Sequence, residues 1–566
     1  MQADLIIRGG TVMDGTGSAA READVAIAGG RIVAVGQVSG RGVEEIDARG
    51  LLVTPGFVDI HTHYDAQALW DDHMAPSAWH GVTTGVMGNC GVGFAPCKPA
   101  DRSKLVELME GVEDIPGACL HEGLDWQWQS FPEFLTALER RPRDIDLGAL
   151  LPHAAVRVFV MGERALALEP ANQADIAAMR AITAEAVKAG AFGVSTSRTI
   201  SHKTLAGDYT PTLRALEAEL TGLAQGVSDA GRGFMEIVSD WLQPDPAGEF
   251  AMMQRIHDAS GRPIVFSMTA RHDRTEVWKE LLALSDGAAS AGKSIRPVFP
   301  PRPIGILLGL RGTQNPFSGC ASYRAIAHLP LAERVAAMRD PAVRARILSE
   351  DPVKDSVFPL IQRIGYARMF LFQDPPNYTP PQEQSIEAIA AREGRTAPEV
   401  AYDMLLEDAG RSFIFTALTN YADYTLNPSE ECLRHPNTIM GLSDGGAHVG
   451  FISDGSFPSF LLAHWGRGRG FALEELVRRL TSDTAAAAGF TDRGVLAPGK
   501  LADVNIIDFD KLRLRRPDVV ADLPAGGKRL MQRADGYVAT IKTGVVTYRD
   551  GVATGALPGK LLRGAA

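Results

Sequence analysis

The 566 residues contain no apolar run of the roughly 18 residues that a membrane-crossing helix needs. The opening segment MQADLIIRGG has neither a basic leader nor a long apolar stretch, which predicts no secretory signal. Cysteine is scarce: Cys90, Cys97, Cys119, Cys320 and Cys432 form an odd, scattered set of 5. That is no disulfide framework, and it fits a reducing compartment. Positive charge is also short, with 57 Lys and Arg against 68 Asp and Glu and a net charge of −11. This balance argues against a nucleic-acid or acidic-lipid surface. The absences together predict a cytoplasmic protein with no membrane or nucleic-acid partner, homo-oligomerisation being left open.

What is present is ordinary globular sequence, 45% hydrophobic and 22% charged. Near the N-terminus, DLIIRGGTVMD, ADVAIAGGRIVAVG and EEIDARGLLVTPG alternate and turn at glycines, predicting a small antiparallel sheet. The texture returns in LADVNIIDFDKL and GYVATIKTGVVTYRDGVA. Neither end buries a core alone, so residues 1–54 plus 495–566 are expected to build one small β-sandwich domain. The closing GKLLRGAA is expected to fray.

Between the ends, strand-like runs occupy Gly56–His63, Thr83–Gly91, Leu147–Phe159, Phe192–Ser197, Phe234–Ser239, Pro263–Thr269, Ile295–Pro300 and Thr438–Asp444. They alternate with helical spacing, as in DIAAMRAITAEAVKAG and TLRALEAELTGLAQGVSDAG. The alternation predicts an α/β fold, a (β/α)8 TIM-like barrel over 55–494. Two long insertions, at about 96–143 and 305–437, follow strand C-termini and would form lids over the mouth. Trp126 and Trp128 could line that mouth or anchor the first lid.

Within TPGFVDIHTHYDAQALWD, His61 and His63 lie one residue apart after an apolar run. Side chains alternate in a strand, so the two imidazoles would share a face with Phe57 and Asp59. A polar strand end and a pair of metal ligands both fit this. Cys90 closes the second strand and Asp444 the last, followed by a Gly-Gly turn and His448. Each has a plain alternative, a buried thiol or a turn aspartate. All four fall at C-terminal strand ends, where barrel enzymes place their chemistry.

Taken together, TPGFVDIHTH, SDGGAH and LAPGKLADVNIID resemble the amidohydrolase superfamily. VTTGVMGNCGVGFAP and SFPEFLTAL are similar to its N-acyl-D-amino-acid deacylase (D-aminoacylase) branch. The resemblance implies a metal-dependent hydrolase of linear amides, with His61, His63 and Cys90 binding zinc. It implies Asp444 as catalytic general base and acid, beside the same metal. A thiolate with two imidazoles suits Zn²⁺ and leaves room for water. Asp59 is expected either to hold an imidazole tautomer or to make a structural helix-capping or core hydrogen bond.

That branch also uses a histidine on its fifth and on its sixth strand, whereas GFMEIVSDW and PIVFSMTA put Ile237 and Met268 there. One Zn²⁺ per chain is therefore expected. Three readings stay open: a lone ion on the four residues, completion by Glu236, His202, His153 or His272, or a lapsed enzyme kept as a scaffold. The implied substrate is an N-acyl-D-amino acid or related small amide, whose carboxylate calls for a basic group. Arg198, Arg271, Arg302 and His448 are the candidates. The alternative activity is cyclic-amide hydrolysis of the dihydropyrimidinase or hydantoinase kind, whose carboxylated lysine has no counterpart in AFGVSTSRTI.

Overall fold

The computed structural model describes residues 3–242, 245–351 and 364–564. Between residues 57 and 440, short runs of β-branched and small residues bury both faces and form eight parallel strands. These are β1 (Phe57–Asp59), β2 (Val82–Met87), β3 (Asp146–Ala149), β4 (Gly193–Arg198), β5 (Phe234–Ser239), β6 (Ile264–Ser267), β7 (Ile295–Phe299) and β8 (Ile439–Met440). The first three pair side by side. Beyond Leu150, whose N–H donates to Met87 O at 2.8 Å, Leu151–Pro152 continues β3 against β4. From there β4 to β8 pair in order. A parallel bridge from Thr62 to Gly445, with His63 N–H donating to Gly445 O at 2.7 Å, joins the two ends into a ring. Val58, Ile60, Val86, Leu150, Phe234, Val265, Val298 and Ile439 fill its interior as one cluster.

Several predicted strands are shorter than expected. The run Leu147–Phe159 is strand only to Pro152; His153–Met161 is a helix. Its Ala-Val-Phe-Val texture suits either state, and the extended Pro152 marks the change. Gly56–His63 is strand over Phe57–Asp59 and then bends at Ile60, while Thr438–Asp444 is strand only at Ile439–Met440. The two quoted helical stretches are helices at Gln173–Ala189 and Glu217–Asp229.

Strands from both termini share one nine-stranded sheet. It is mixed, not antiparallel: Leu5–Val12 runs parallel to Glu44–Asp47 and to Leu52–Pro55. The hairpin Arg21–Gly36 occupies the other edge of Leu5–Val12, so the returning chain pairs in the same direction. Ile7, Val25 and Val53 meet Val504, Ile506 and Ile541 in a single apolar cluster. The expected fraying of the C-terminus is corrected. Lys560 O accepts from Leu147 N–H at 3.0 Å, Leu562 N–H donates to Leu147 O at 2.7 Å, and Gly564 N–H reaches Gly190 O at 3.0 Å. Residues 565–566 of that segment lie outside the described residues.

The first insertion holds helix α1 (Arg102–Glu113) and a helix at Phe131–Glu139. Trp128 is buried there, its Nε1–H donating to Phe94 O at 2.8 Å, and Trp126 packs on the same Phe94 ring. The second carries a three-stranded antiparallel sheet, Gly305–Gly309, Met369–Leu371 and Phe413–Ala417, with its own apolar cluster. Residues 352–363 of this insertion lie outside the described residues. Among those described, no helix is long and apolar enough to cross a membrane.

A buried ionic knot fastens the ring to the terminal sheet. Asp146 Oδ2 meets Arg493 at 2.7 Å and Lys542 at 2.6 Å, while Lys542 also contacts Asp503 at 2.8 Å. Burial opposes ionisation of Asp146, but Lys542 and Arg493 outweigh it and hold its pKa below the ordinary range. Its stabilising contribution is therefore complete above a pH of about 4 and lost as pH falls through the folded-state pKa. Lys542→Met should cost about 3–5 kcal/mol, because Asp503 then loses its buried cation and Asp146 keeps only Arg493. A lower urea midpoint with unchanged slope, and acid unfolding that begins at higher pH, are the expected readouts.

Candidate metal centre

The bend at Ile60 takes His61 and His63 out of the strand's alternation and turns them towards the C-terminal end of the ring. Cys90 lies beyond β2 in a turn with φ of 55°. Beyond β8, Leu442, Asp444 and His448 have φ of 60°, 49° and 47°. Side chains with a Cβ adopt this left-handed region at a cost of about 1–3 kcal/mol each, so tertiary contacts must impose it. These loops bring His61, His63, Cys90 and Asp444 together.

Cys90 Sγ lies 3.4 Å from His61 Nε2 and 3.9 Å from His63 Nε2. Asp444 Oδ1 stands 3.3 Å and 3.7 Å from the same nitrogens. Two ligand atoms at bonding distances of about 2.0–2.3 Å from a tetrahedral zinc are about 3.3–3.6 Å apart. His61, His63 and Cys90 thus form a group whose donor atoms all lie within 4.8 Å of one another, close enough to share one metal ion, with Asp444 beside the two imidazoles.

The surrounding charge fits a cation too. Asp59, Asp65, Glu113 and Glu236 are all buried near these donors. None of their hydrogen bonds or ion pairs among the described residues goes to a lysine or arginine. Burial, then the fields of Glu236, Glu113 and Asp444, push the Cys90 thiol far up. Burial raises Glu236 to about 8 and Asp65 to about 7. Burial pulls His63 down, yet Glu113 and Asp444 outweigh it and lift it to about 9. His61, for which burial prevails, is lowered to about 4. For Asp444, burial is outweighed by His63, His61 and His448, which hold it well below the carboxylate range. A divalent ion among these groups would relieve the repulsion between thiolate and carboxylates that otherwise keeps the thiol protonated.

Asp59 does not hold an imidazole. Its carboxylate accepts the backbone N–H of His61 at 3.1 Å and the hydroxyl of Ser443. Because the alternation breaks at Ile60, Asp59 braces the backbone between the first and last strands. The carboxylate behind His63 is Glu113 of the first insertion, 3.2 Å from His63 Nδ1. No local pattern marks this pair, since 50 positions separate the two residues.

The three arginines are committed elsewhere. Arg198 pairs with Glu249 at 2.7 Å and donates to Ala215 O. Arg302 is 1% exposed, pairs with Asp454 at 2.9 Å and stacks on Tyr378 and Phe457. Arg271 is bidentate to Asp273, at 2.9 and 2.8 Å. Each guanidinium already has its carboxylate, so none is presented free to a substrate as expected. His448 does face the centre, its Nε2 lying 3.8 Å from Glu113.

The model of the amidohydrolase family matches residues 44–548. The chain belongs to that family. A D-aminoacylase of Alcaligenes xylosoxydans xylosoxydans is 26% identical over 564 residues, 99% of this chain and 97% of that protein. An N-acyl-D-aspartate deacylase of the same organism is 41% identical over 196 residues, 34% of this chain and 36% of the relative. Among solved structures, a D-aminoacylase has a TM-score of 0.65 at 24% identity, covering 99% of this chain and 100% of its own. An N-acyl-D-glutamate deacylase from Bordetella bronchiseptica, complexed with zinc and a phosphonate inhibitor, has a TM-score of 0.65 at 22% identity, with 100% of both chains covered. The likeness places this amidohydrolase in the D-aminoacylase-like branch, among hydrolases of carbon–nitrogen bonds other than peptide bonds.

In this amidohydrolase the fifth strand presents Glu236 to the interior, not Ile237. Ile237 pairs in register with Phe266, which packs on Trp241 and Phe250 outside the ring. Glu236 Oε2 accepts the N–H of Cys90 at 3.1 Å, and its Oε1 is buried without a hydrogen bond among the described residues. Of the other substitutes considered, His202 lies in the fields of His448, His63, Asp444 and His61. His153 instead bonds Thr196 and Glu219, at 2.8 and 2.9 Å, and His272 bonds Ala417 O at 3.0 Å. Removing one of the converging donors tests the centre. Cys90→Ala should weaken zinc binding at least tenfold by chelator competition, while unchanged binding would make Cys90 an ordinary buried thiol.

Proposed function

We propose that this chain is a zinc-dependent N-acyl-D-amino-acid deacylase, or hydrolase of a closely related linear amide, with one ion held by His61, His63, Cys90 and Asp444. The observation carrying the reading is the grouping of His61, His63 and Cys90, whose donor atoms lie within 4.8 Å of one another, with Asp444 Oδ1 3.3 and 3.7 Å from the two imidazole Nε2 atoms. We further propose that the ring is a (β/α)8 barrel spanning 55–494, with 1–54 and 495–566 as one β domain. The centre then lies at the C-terminal mouth, beneath the insertions.

Zinc bound there supplies a Lewis acid that polarises the amide carbonyl and acidifies a water. Asp444, kept ionised by the imidazoles around it, accepts the proton of the attacking water. The same carboxyl, once protonated, returns that proton to the leaving nitrogen. Glu236 braces the Cys90 turn from below through its N–H. His202, fixed by a 2.8 Å contact between its Nδ1 and Ser197 Oγ, and His448 face the centre and contact the polar groups of the substrate. With the three arginines engaged, these imidazoles take the place expected of a guanidinium.

Purified protein should contain one zinc per chain and cleave N-acetyl-D-amino acids in preference to their L-forms, hydantoins and dihydropyrimidines. Asp444→Asn should lower kcat by about 10²–10⁴-fold while keeping most of the metal on the three remaining donors. Turnover within a fewfold of wild type would remove Asp444 from the proton-transfer role. A metal-free, inactive wild type would leave the scaffold reading.

A further inference from the structure

Glu113 ends α1 in the first insertion and is 1% exposed. A carboxylate is poorly placed there, because the C-terminal end of a helix carries partial negative charge. It is worse placed when buried without a lysine or arginine to pair it. Its Oε1 lies 3.2 Å from His63 Nδ1 and its Oε2 lies 3.8 Å from His448 Nε2. Neither oxygen, nor His63 Nδ1, has an aligned hydrogen bond among the described residues. Three buried polar atoms therefore face one another unsatisfied, an arrangement that needs a functional reason.

The direction of the contact supplies one. His63 turns Nε2 towards Cys90 and Asp444, so Nδ1 is on the far side of the ring. Glu113 meets the imidazole from behind and is no ligand of an ion at Nε2. The adjacent Asp114 extends the grip: its Oδ2 accepts the N–H of Gly450 at 3.0 Å and lies 3.4 Å from Thr313 Oγ1. One acidic pair at the end of α1 thus holds the ring of His63, the loop that follows Asp444, and the second insertion.

We propose that Glu113 is a positioning residue for the metal, accepting the Nδ1–H of His63 so that the tautomer offering Nε2 to the ion is fixed. Metal-ligating imidazoles donate their second N–H in this way, which orients the ring and strengthens the donor. The first insertion is then part of the metal centre and not merely its cover. The inference rests on the metal-centre reading above.

The test uses the full chain with Co²⁺ as probe, affinity being read by chelator competition and geometry by the thiolate charge-transfer and d–d absorption bands. Glu113→Ala should weaken Co²⁺ about 10–100-fold and shift the d–d bands. Glu113→Gln, whose amide oxygen still accepts the Nδ1–H, should recover most of the affinity. Wild-type affinity and spectrum in the alanine variant would overturn the proposal, as would a glutamine variant no better than alanine. Should the alanine variant fail to fold, Glu113→Asp, one methylene short of the ring, should weaken Co²⁺ with unchanged circular dichroism; unchanged affinity there overturns it. Wild-type protein that takes up no Co²⁺ would overturn the metal-centre reading itself, whereas uptake indifferent to residue 113 overturns only this inference.

Discussion

The closure between Thr62 and Gly445 is the constraint on which the site depends. One short parallel bridge sets the chain carrying His61 and His63 beside the loop carrying Asp444, although some 380 positions separate them. Asp59 and Ser443 bolt the same seam one step below, through a carboxylate–hydroxyl hydrogen bond. The β2 turn then adds Cys90 from the third side. Candidate residues on three separate segments reach one region because strands of a closed ring have fixed neighbours.

Charge explains why this point is chemically unusual. A folded chain rarely buries four carboxylates and a thiol near one another without lysine or arginine. Here the cations of the fold are spent elsewhere: Lys542 and Arg493 on Asp146 in the ionic knot, Arg198 on Glu249, Arg302 on Asp454. The centre keeps its negative potential for a bound ion. Backbone strain is present in the same place, in the left-handed Cys90, Leu442, Asp444 and His448. The rest of the ring, with its buried aliphatic interior, supplies the rigidity that holds such loops.

Local chemistry was legible where a residue and its signal were neighbours in sequence. His-x-His after an apolar run, Cys90 in its glycine-flanked turn and Asp444 before a Gly-Gly pair each announced a strand end. Alternation fails where the backbone leaves the strand: it predicts Asp59 on the face of His61 and Ile237 inward on β5, whereas Asp59 braces the His61 backbone and Glu236 points inward. Arginines at strand ends looked available because their partners Glu249, Asp454 and Asp273 cannot be assigned from composition. Glu113 carried no sign at all, being an acidic residue at the end of an amphipathic helix.

The sequence by itself determined the alternation of strands and helices in outline, the family, and the short motifs that mark His61, His63, Cys90 and Asp444 as candidates, since periodicity and short motifs are properties of neighbouring residues. Only the tertiary structure decided which carboxylate backs which imidazole, which cations are already neutralised, and where the termini lie against the ring. Those are contacts between distant segments, and their partners are selected by burial and distance after the chain has closed on itself, not by anything written at either position alone.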